Sequence, residues 1–211
     1  PGVTILSAEL HDNKLRTGHL RGNRFQLIVR EIPSDAHQAI DDAIGRMRTQ
    51  GIPNHYGEQR FGHGGKNTER ALAWLKGGNV RPPRDVRERK LLVSSLQSAV
   101  FNTVLDARVR NGTWNQVLLG DVARKEDSGG LFVCEDEKVD GERARRGEIS
   151  ATGPMFGPKM VCASGAPAEI EKEALLAVLG PDFPFEKAAD HGEGTRRSFR
   201  IFATGLQSQW E

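Results

Sequence analysis

The chain has 211 residues, of which 37% are hydrophobic and 27% charged. That is an ordinary globular composition, with enough apolar surface for one large domain or two small ones. Two cysteines, Cys134 and Cys162, form no CxxC pair, which argues against a disulfide framework or a structural zinc site and for a reducing, cytoplasmic setting. Net charge is only +2 and no apolar run approaches the ~20 residues that cross a bilayer, so no membrane partner is expected.

In chain order, the opening PGVTILSAELHDNKL carries no initiator Met and reads like the middle of a domain. Between His11 and Arg30 lie Lys14, Arg16, Arg21, Arg24 and Arg30 against one acid, Asp12, and a second basic cluster runs from Arg81 to Lys90. Such clusters suit a polyanion such as RNA, or are simply solvated faces. RFQLIVREI (24–32) alternates Phe25, Leu27 and Val29 with Gln26 and Arg30, which predicts a strand. Ser34 is placed to cap a helix with Ala36, Ala39, Ile40, Ala43, Ile44 and Met47 at helical spacing, stopped by Gly51.

GIPNHYGEQRFGHGG (51–65) crowds five glycines into one loop, more than a turn needs. A short helix should follow, capped at Asn67 or Thr68, burying Leu72, Trp74 and Leu75. GGNVRPPRD (77–85) is the best linker candidate. Asp85 then caps a long helix with apolar positions Leu92, Leu96, Ala99, Val100, Val104 and Leu105, ending near Gly112. Beyond it GGLFVCED, GEISATG and SFRIFAT read as short strands, with AEIEKEALLAVLG (168–180) as a helix. The class is α+β, without regular βαβ alternation.

Three chemistries can be weighed. EDSGGLFVC (126–134) has the spacing of a trypsin-like nucleophile loop, with Ser128 as nucleophile. Acyl transfer needs a histidine within reach, however, and none of His11, His19, His37, His55 or His63 has that family's setting. A turn leading into a strand explains the stretch more simply. The histidines are too scattered for zinc, and GHGGKN misses the P-loop spacing, so no metal or cofactor is expected. The glycine loop remains, as a nucleic-acid surface. Glycines admit close backbone approach, Tyr56 can stack on a base for ~1–3 kcal/mol, Asn54 can donate and accept, and Arg60 can grip a phosphate. A hairpin in which Tyr56 and Phe61 merely pack is the plain alternative.

GIPNHYGEQRFG resembles the Pro-Asn-Tyr-Phe-Gly-x-Gln-Arg-Phe-Gly signature of the TruD family of tRNA pseudouridine synthases. HDNKLRTGHLRGNRFQLIVRE (11–31), LVSSLQSAVFN (92–102) and TGPMFG (152–157) resemble further family segments, in family order. The resemblance implies a pseudouridine synthase catalytic fold, a mixed or antiparallel sheet with flanking helices, interrupted by a TruD-type insertion domain. Residues 1–80 would belong to the catalytic domain, 81–205 to the insertion, and 206–211 to the return. It also implies a monomer that isomerises a uridine of tRNA (position 13, in the D arm) without cofactor. A nucleophilic aspartate detaches the uracil, which rejoins the ribose through C5. Asn54 falls on the active-site asparagine that positions this aspartate, and Tyr56 on the stacking aromatic, where the family usually has Phe. Gly57, Gln59, Arg60 and Phe61 would shape the loop, and Lys14, Arg16, His19, Arg21 and Arg24 would touch RNA.

The family's catalytic Gly-x-Lys-Asp motif lies N-terminal to these segments, and no Lys-Asp pair occurs in the chain. The chain therefore reads as an internal piece of the enzyme, inactive alone. A non-catalytic RNA-binding module is the alternative, and a hydrolase using Ser128 a remote one.

Overall fold

The computed structural model describes residues 4, 5, 8–10, 14 and 23–210. The chain divides into two compact units, residues 1–38 and 39–211. In the first, residues 24–32 are not a strand: Phe25, Leu27 and Val29 are 77%, 81% and 70% exposed. Alternating side chains make a strand only when a neighbour completes the ladder and covers one face, and no described segment does so here. Ser34 caps nothing. It opens a single 3-10 turn, Ser34–Ala36, closed by the Ala36 N–H on the Pro33 carbonyl (3.0 Å).

Helix α1, His37–Gln50, follows. Ile40, Ala43 and Ile44 fall on one side but are only half-buried. Gly51 ends it, with φ +83° and its N–H on the Met47 carbonyl (3.1 Å). A Cβ there would lie 2.9 Å from the Ile201 carbonyl oxygen, so glycine is doubly required. Strand β1 is Ile52–Pro53. After two 3-10 turns comes helix α2, Lys66–Leu75, entered through left-handed Gly65 and not capped by Asn67 or Thr68. Asn67 packs instead against the open α-carbon of Gly62.

Helix α3, Val86–Arg110, is the spine of the second unit. Asp85 caps it as expected, its Oδ1 accepting the Glu88 N–H (2.8 Å). The predicted stripe is buried except for half-buried Ala99, and so are Val93, Ser95, Gln97, Ser98, Phe101 and Arg108. A helix buried around most of its circumference is an interior helix, and α3 is covered by neighbours on several sides. Strands β2 (Val122–Lys125) and β3 (Leu131–Val133), helix α4 (Glu137–Arg145), strand β4 (Ile149–Met155), helices α5 (Gly165–Leu179) and α6 (Phe185–Ala189), and strands β5 (Thr195–Ser198) and β6 (Arg200–Ile201) complete the chain. α2, α5 and β4 all pack on α3. The sheet order is β3-β2-β4-β5, antiparallel throughout, and β6 pairs antiparallel with β1. Helices packed against antiparallel strands make the expected α+β class.

The core joins Leu96, Val100, Phe101 and Leu105 of α3 to Ile149 and Ala151 of β4 and to Phe199, each large apolar side chain contributing ~1.5–3 kcal/mol. Two buried ion pairs cross it: Arg108–Asp121 (2.9 Å) and Arg196–Glu171 (2.6 Å). Cys134 is buried and its thiol is pushed up to about 11, chiefly by burial and then by Asp140, which leaves it inert at neutral pH.

Glu171→Ala leaves the Arg196 guanidinium buried without its carboxylate, and urea unfolding should show a loss of ~3–5 kcal/mol. The double variant E171L/R196M should recover much of that loss.

Candidate active site

The predicted loop is held at the edge of the sheet. Ile52 pairs with Ile201 and Pro53 with Arg200, and the Asn54 N–H donates to the Phe199 carbonyl (2.8 Å). Asn54 is then clamped by its side chain. Its Nδ2 donates to the Ser198 carbonyl (3.0 Å), while Arg197 Nη2 donates to Asn54 Oδ1 (2.5 Å) and to the Asn54 carbonyl (3.2 Å). A cation on one side and a carbonyl on the other fix which way the amide points.

Tyr56 is held from α3. Its N–H donates to Asn102 Oδ1 and its carbonyl accepts from Asn102 Nδ2, both at 2.9 Å, so Asn102 stands in for a neighbouring strand. The half-buried ring meets Phe101 edge-on (centroids 5.7 Å, planes at 78°). The Arg197 guanidinium carbon lies 4.0 Å from its centroid and that of Arg60 5.2 Å, both within cation–π range. Among the described residues the Tyr56 hydroxyl reaches only Met155 Sδ (3.8 Å), a weak acceptor.

Residues Glu58–Phe61 make one 3-10 turn. Gly57 and Gln59 are exposed and Phe61 is half-buried. Arg60 Nε donates to Ser98 Oγ (3.0 Å), which ties down the residue expected at a phosphate but leaves its terminal nitrogens without a protein hydrogen bond among the described residues. His55 turns outward to Asp106 (2.9 Å).

The glycines of this loop divide by cause. Gly51, Gly62, Gly64 and Gly65 have positive φ, which the backbone path demands. Gly57 has an ordinary φ of −75°, and a Cβ there would meet nothing within 4 Å. The fold gives no reason for glycine at 57.

Of the other predicted contacts, Lys14 and Arg24 are exposed and belong to the first unit, while Arg16, His19 and Arg21 lie outside the described residues. Ser128 sits in the exposed turn between β2 and β3, its Oγ accepting only from the Gly130 N–H (3.4 Å), with no histidine partner among the described residues. Among those residues no cluster of His, Cys, Asp and Glu is arranged to hold a metal, and no helix is long and apolar enough to cross a membrane.

Sequence reasoning missed Arg197, Asn102, Ser98 and Met155 as partners of the loop. Three of them were within sight: Ser98 and Asn102 lie in LVSSLQSAVFN and Met155 in TGPMFG, so the separate motifs converge on Tyr56. Two clefts lie away from this surface, one of about 460 Å3 lined by Arg70, Arg81, Arg84, Asp85 and Glu88, the other of about 390 Å3 lined by Arg48, Thr49, Arg145, Arg146, Gly147 and Phe202.

The model of the family described as tRNA pseudouridine synthase D (TruD) matches residues 1–80 and 85–210. A protein of that name from Anaeromyxobacter dehalogenans is 41% identical over 205 residues, covering 95% of this chain and 58% of the relative. Another from Thermus thermophilus is 44% identical over 174 residues, covering 82% and 48%. The chain thus spans about half the length of the curated relatives it matches. A crystal structure from Methanosarcina mazei, named for the same family, superposes with a TM-score of 0.64 over 80% of this chain and 56% of that one; at 18% identity it shares the fold.

Asn102→Ala removes both bonds to the Tyr56 backbone. Amide hydrogen exchange at Tyr56 should accelerate by the equivalent of ~1–3 kcal/mol, while protection in the middle of α3 stays as it was.

Proposed function

This chain belongs to the TruD family of tRNA pseudouridine synthases, and from that premise we propose that its loop 54–61 holds a uridine of tRNA, in the D arm, for isomerisation to pseudouridine. The observation that carries this is the Asn54–Arg197–Tyr56–Asn102 constellation: an aromatic ring flanked by two guanidinium groups, on a backbone held by two asparagines. Everting a base costs a few kcal/mol. A ring that stacks on the base and cations that meet its phosphate offset that cost. Gly57 supports the same reading, since bare backbone beside Tyr56 lets a nucleotide come closer than a Cβ would allow.

Asn54 would orient the nucleophilic carboxylate through the remaining N–H of its amide, which can donate to it. That carboxylate would attack C1′ and displace the uracil at N1; the freed uracil turns, its C5 attacks C1′ and displaces the carboxylate, and C5 then gives up its proton while N1 takes one up. Near the loop the described residues offer Glu58 and Asp106, but Glu58 is not the aspartate the family resemblance implies and His55 engages Asp106, so we assign the nucleophile to no residue of this chain and expect the 211 residues alone to be inactive. The same fact favours the second reading, a non-catalytic RNA-binding module. Residues 81–205 would be the family's insertion domain, a division supported by the break in the family match at 81–84. We place the protein in the cytoplasm as a monomer.

In fluorescence anisotropy with a labelled tRNA transcript, Tyr56→Ala should bind more weakly by ~1–3 kcal/mol. Absence of any tRNA binding by the parent chain would reject the RNA reading, and an unchanged variant would reduce Tyr56 to packing. The parent chain should release no tritium from a transcript labelled at uridine C5; release would show that the nucleophile is present after all.

A further inference from the structure

At the end of the β1–β6 ladder away from Asn54, β6 runs on into Phe202, about 10 Å from Phe199 at ~3.3 Å per residue. Phe202 lines the cleft it shares with Arg48 and Thr49 of α1 and with Arg145, Arg146 and Gly147 at the end of α4. No carboxylate is among these lining residues.

Arg200 lies against the ring of Phe202, its guanidinium carbon 4.8 Å from the centroid. It is 4% exposed, and its bonds run to Ser150 Oγ and to the carbonyls of Gln50, Asn115, Ala144 and Ile149. Every one of these acceptors is uncharged. The other two buried arginines, Arg108 and Arg196, each touch a carboxylate. Glu126 is reached from Arg200 only through the Ser150 hydroxyl. A buried cation with no anion in contact is costly, and this one stands against the Phe202 ring that lines the cleft.

The rim adds to that charge. Arg48 is positioned by its Nε on the Leu206 carbonyl (2.8 Å), which leaves its terminal nitrogens to project. Arg145, 73% exposed along its side chain, has only a 4.0 Å contact with Glu142. Arg146 is neutralised by Glu148 (2.6 Å). An aromatic ring beside the exposed guanidinium groups of Arg48 and Arg145, with Arg200 packed against it, has the chemistry of a nucleotide site: anion for the cations, base or ribose for the ring.

We propose that this cleft is a second RNA contact, taking a phosphodiester of the tRNA strand on Arg48 and Arg145 and the adjoining base or ribose on Phe202. The inference rests on the RNA reading above and adds a distinct site to it.

The test is the salt dependence of binding of a labelled tRNA transcript to the 211-residue chain. For R48A/R145A, the slope of log affinity against log salt should become shallower by ~1–2, the signature of lost phosphate contacts. R145A alone should move in the same direction. Phe202→Ala should weaken binding at least about 5-fold, with the slope kept. The control K159A/K172A removes two exposed charges elsewhere and should leave the slope unchanged. A parent chain that binds no tRNA overturns both readings. A parent that binds, with Tyr56→Ala weakened but R48A/R145A unchanged in slope, overturns this site alone. An equal loss in K159A/K172A overturns it too, as general charge depletion.

Discussion

Everything at the candidate site depends on residues 52–54 being laid against residues 199–201. Asn54 and Arg197 are 143 positions apart in the chain. Closing so long a loop costs roughly 4 kcal/mol in chain entropy beyond a constant, which cancels what the hydrogen bonds at Asn54 return at ~1 kcal/mol each and leaves the constant uncovered. The contact therefore cannot form on its own. It forms because α3 and the sheet fold between its two ends and deliver them to the same edge, which makes assembly of the site and of the core one event.

Helix α3 serves both. Ser98, Phe101 and Asn102 are spaced i, i+3, i+4 and so share one face. That face bonds Arg60, abuts the Tyr56 ring and holds the Tyr56 backbone. Leu92, Leu96, Val100 and Val104 fill the interior beside it. The loop is tied where it meets α3 and open at Gly57, where nothing among the described residues crowds it.

The legible parts of this structure were those decided locally. Asp85 capping α3, the glycine stop after α1 and the buried stripe of α3 follow from chemistry within a turn or two of helix, and the motif around Asn54 and Tyr56 carried its family resemblance in contiguous residues. What was not legible came from tertiary partners. Residues 24–32 alternate Phe25, Leu27 and Val29 with Gln26 and Arg30 and have no described neighbour to make them a strand. Arginine is rarely buried; Arg196 and Arg200 are interior because each is supplied with acceptors from several distant segments, and Arg108 because the turn that follows α3 folds back on it. Arg197 was hidden for the same reason, as one charge in a run of three arginines over five residues.

That run explains itself once the strand period is applied. Arg196, Ser198 and Arg200 alternate with Arg197 and Phe199, and alternate residues face opposite sides. Arg196 meets Glu171 and Thr152, and Arg200 meets the carbonyls of Ala144 and Ile149. On the other side Arg197 meets Asn54 and Tyr56, and Phe199 meets Phe101. A slip of one residue would exchange the two sets, burying Arg196 against aromatic rings with no carboxylate and turning Phe199 toward a nest of carbonyls. The buried arginines, which add little net stability, thereby make every register but one expensive, and that register is the one that brings Arg197 to the loop.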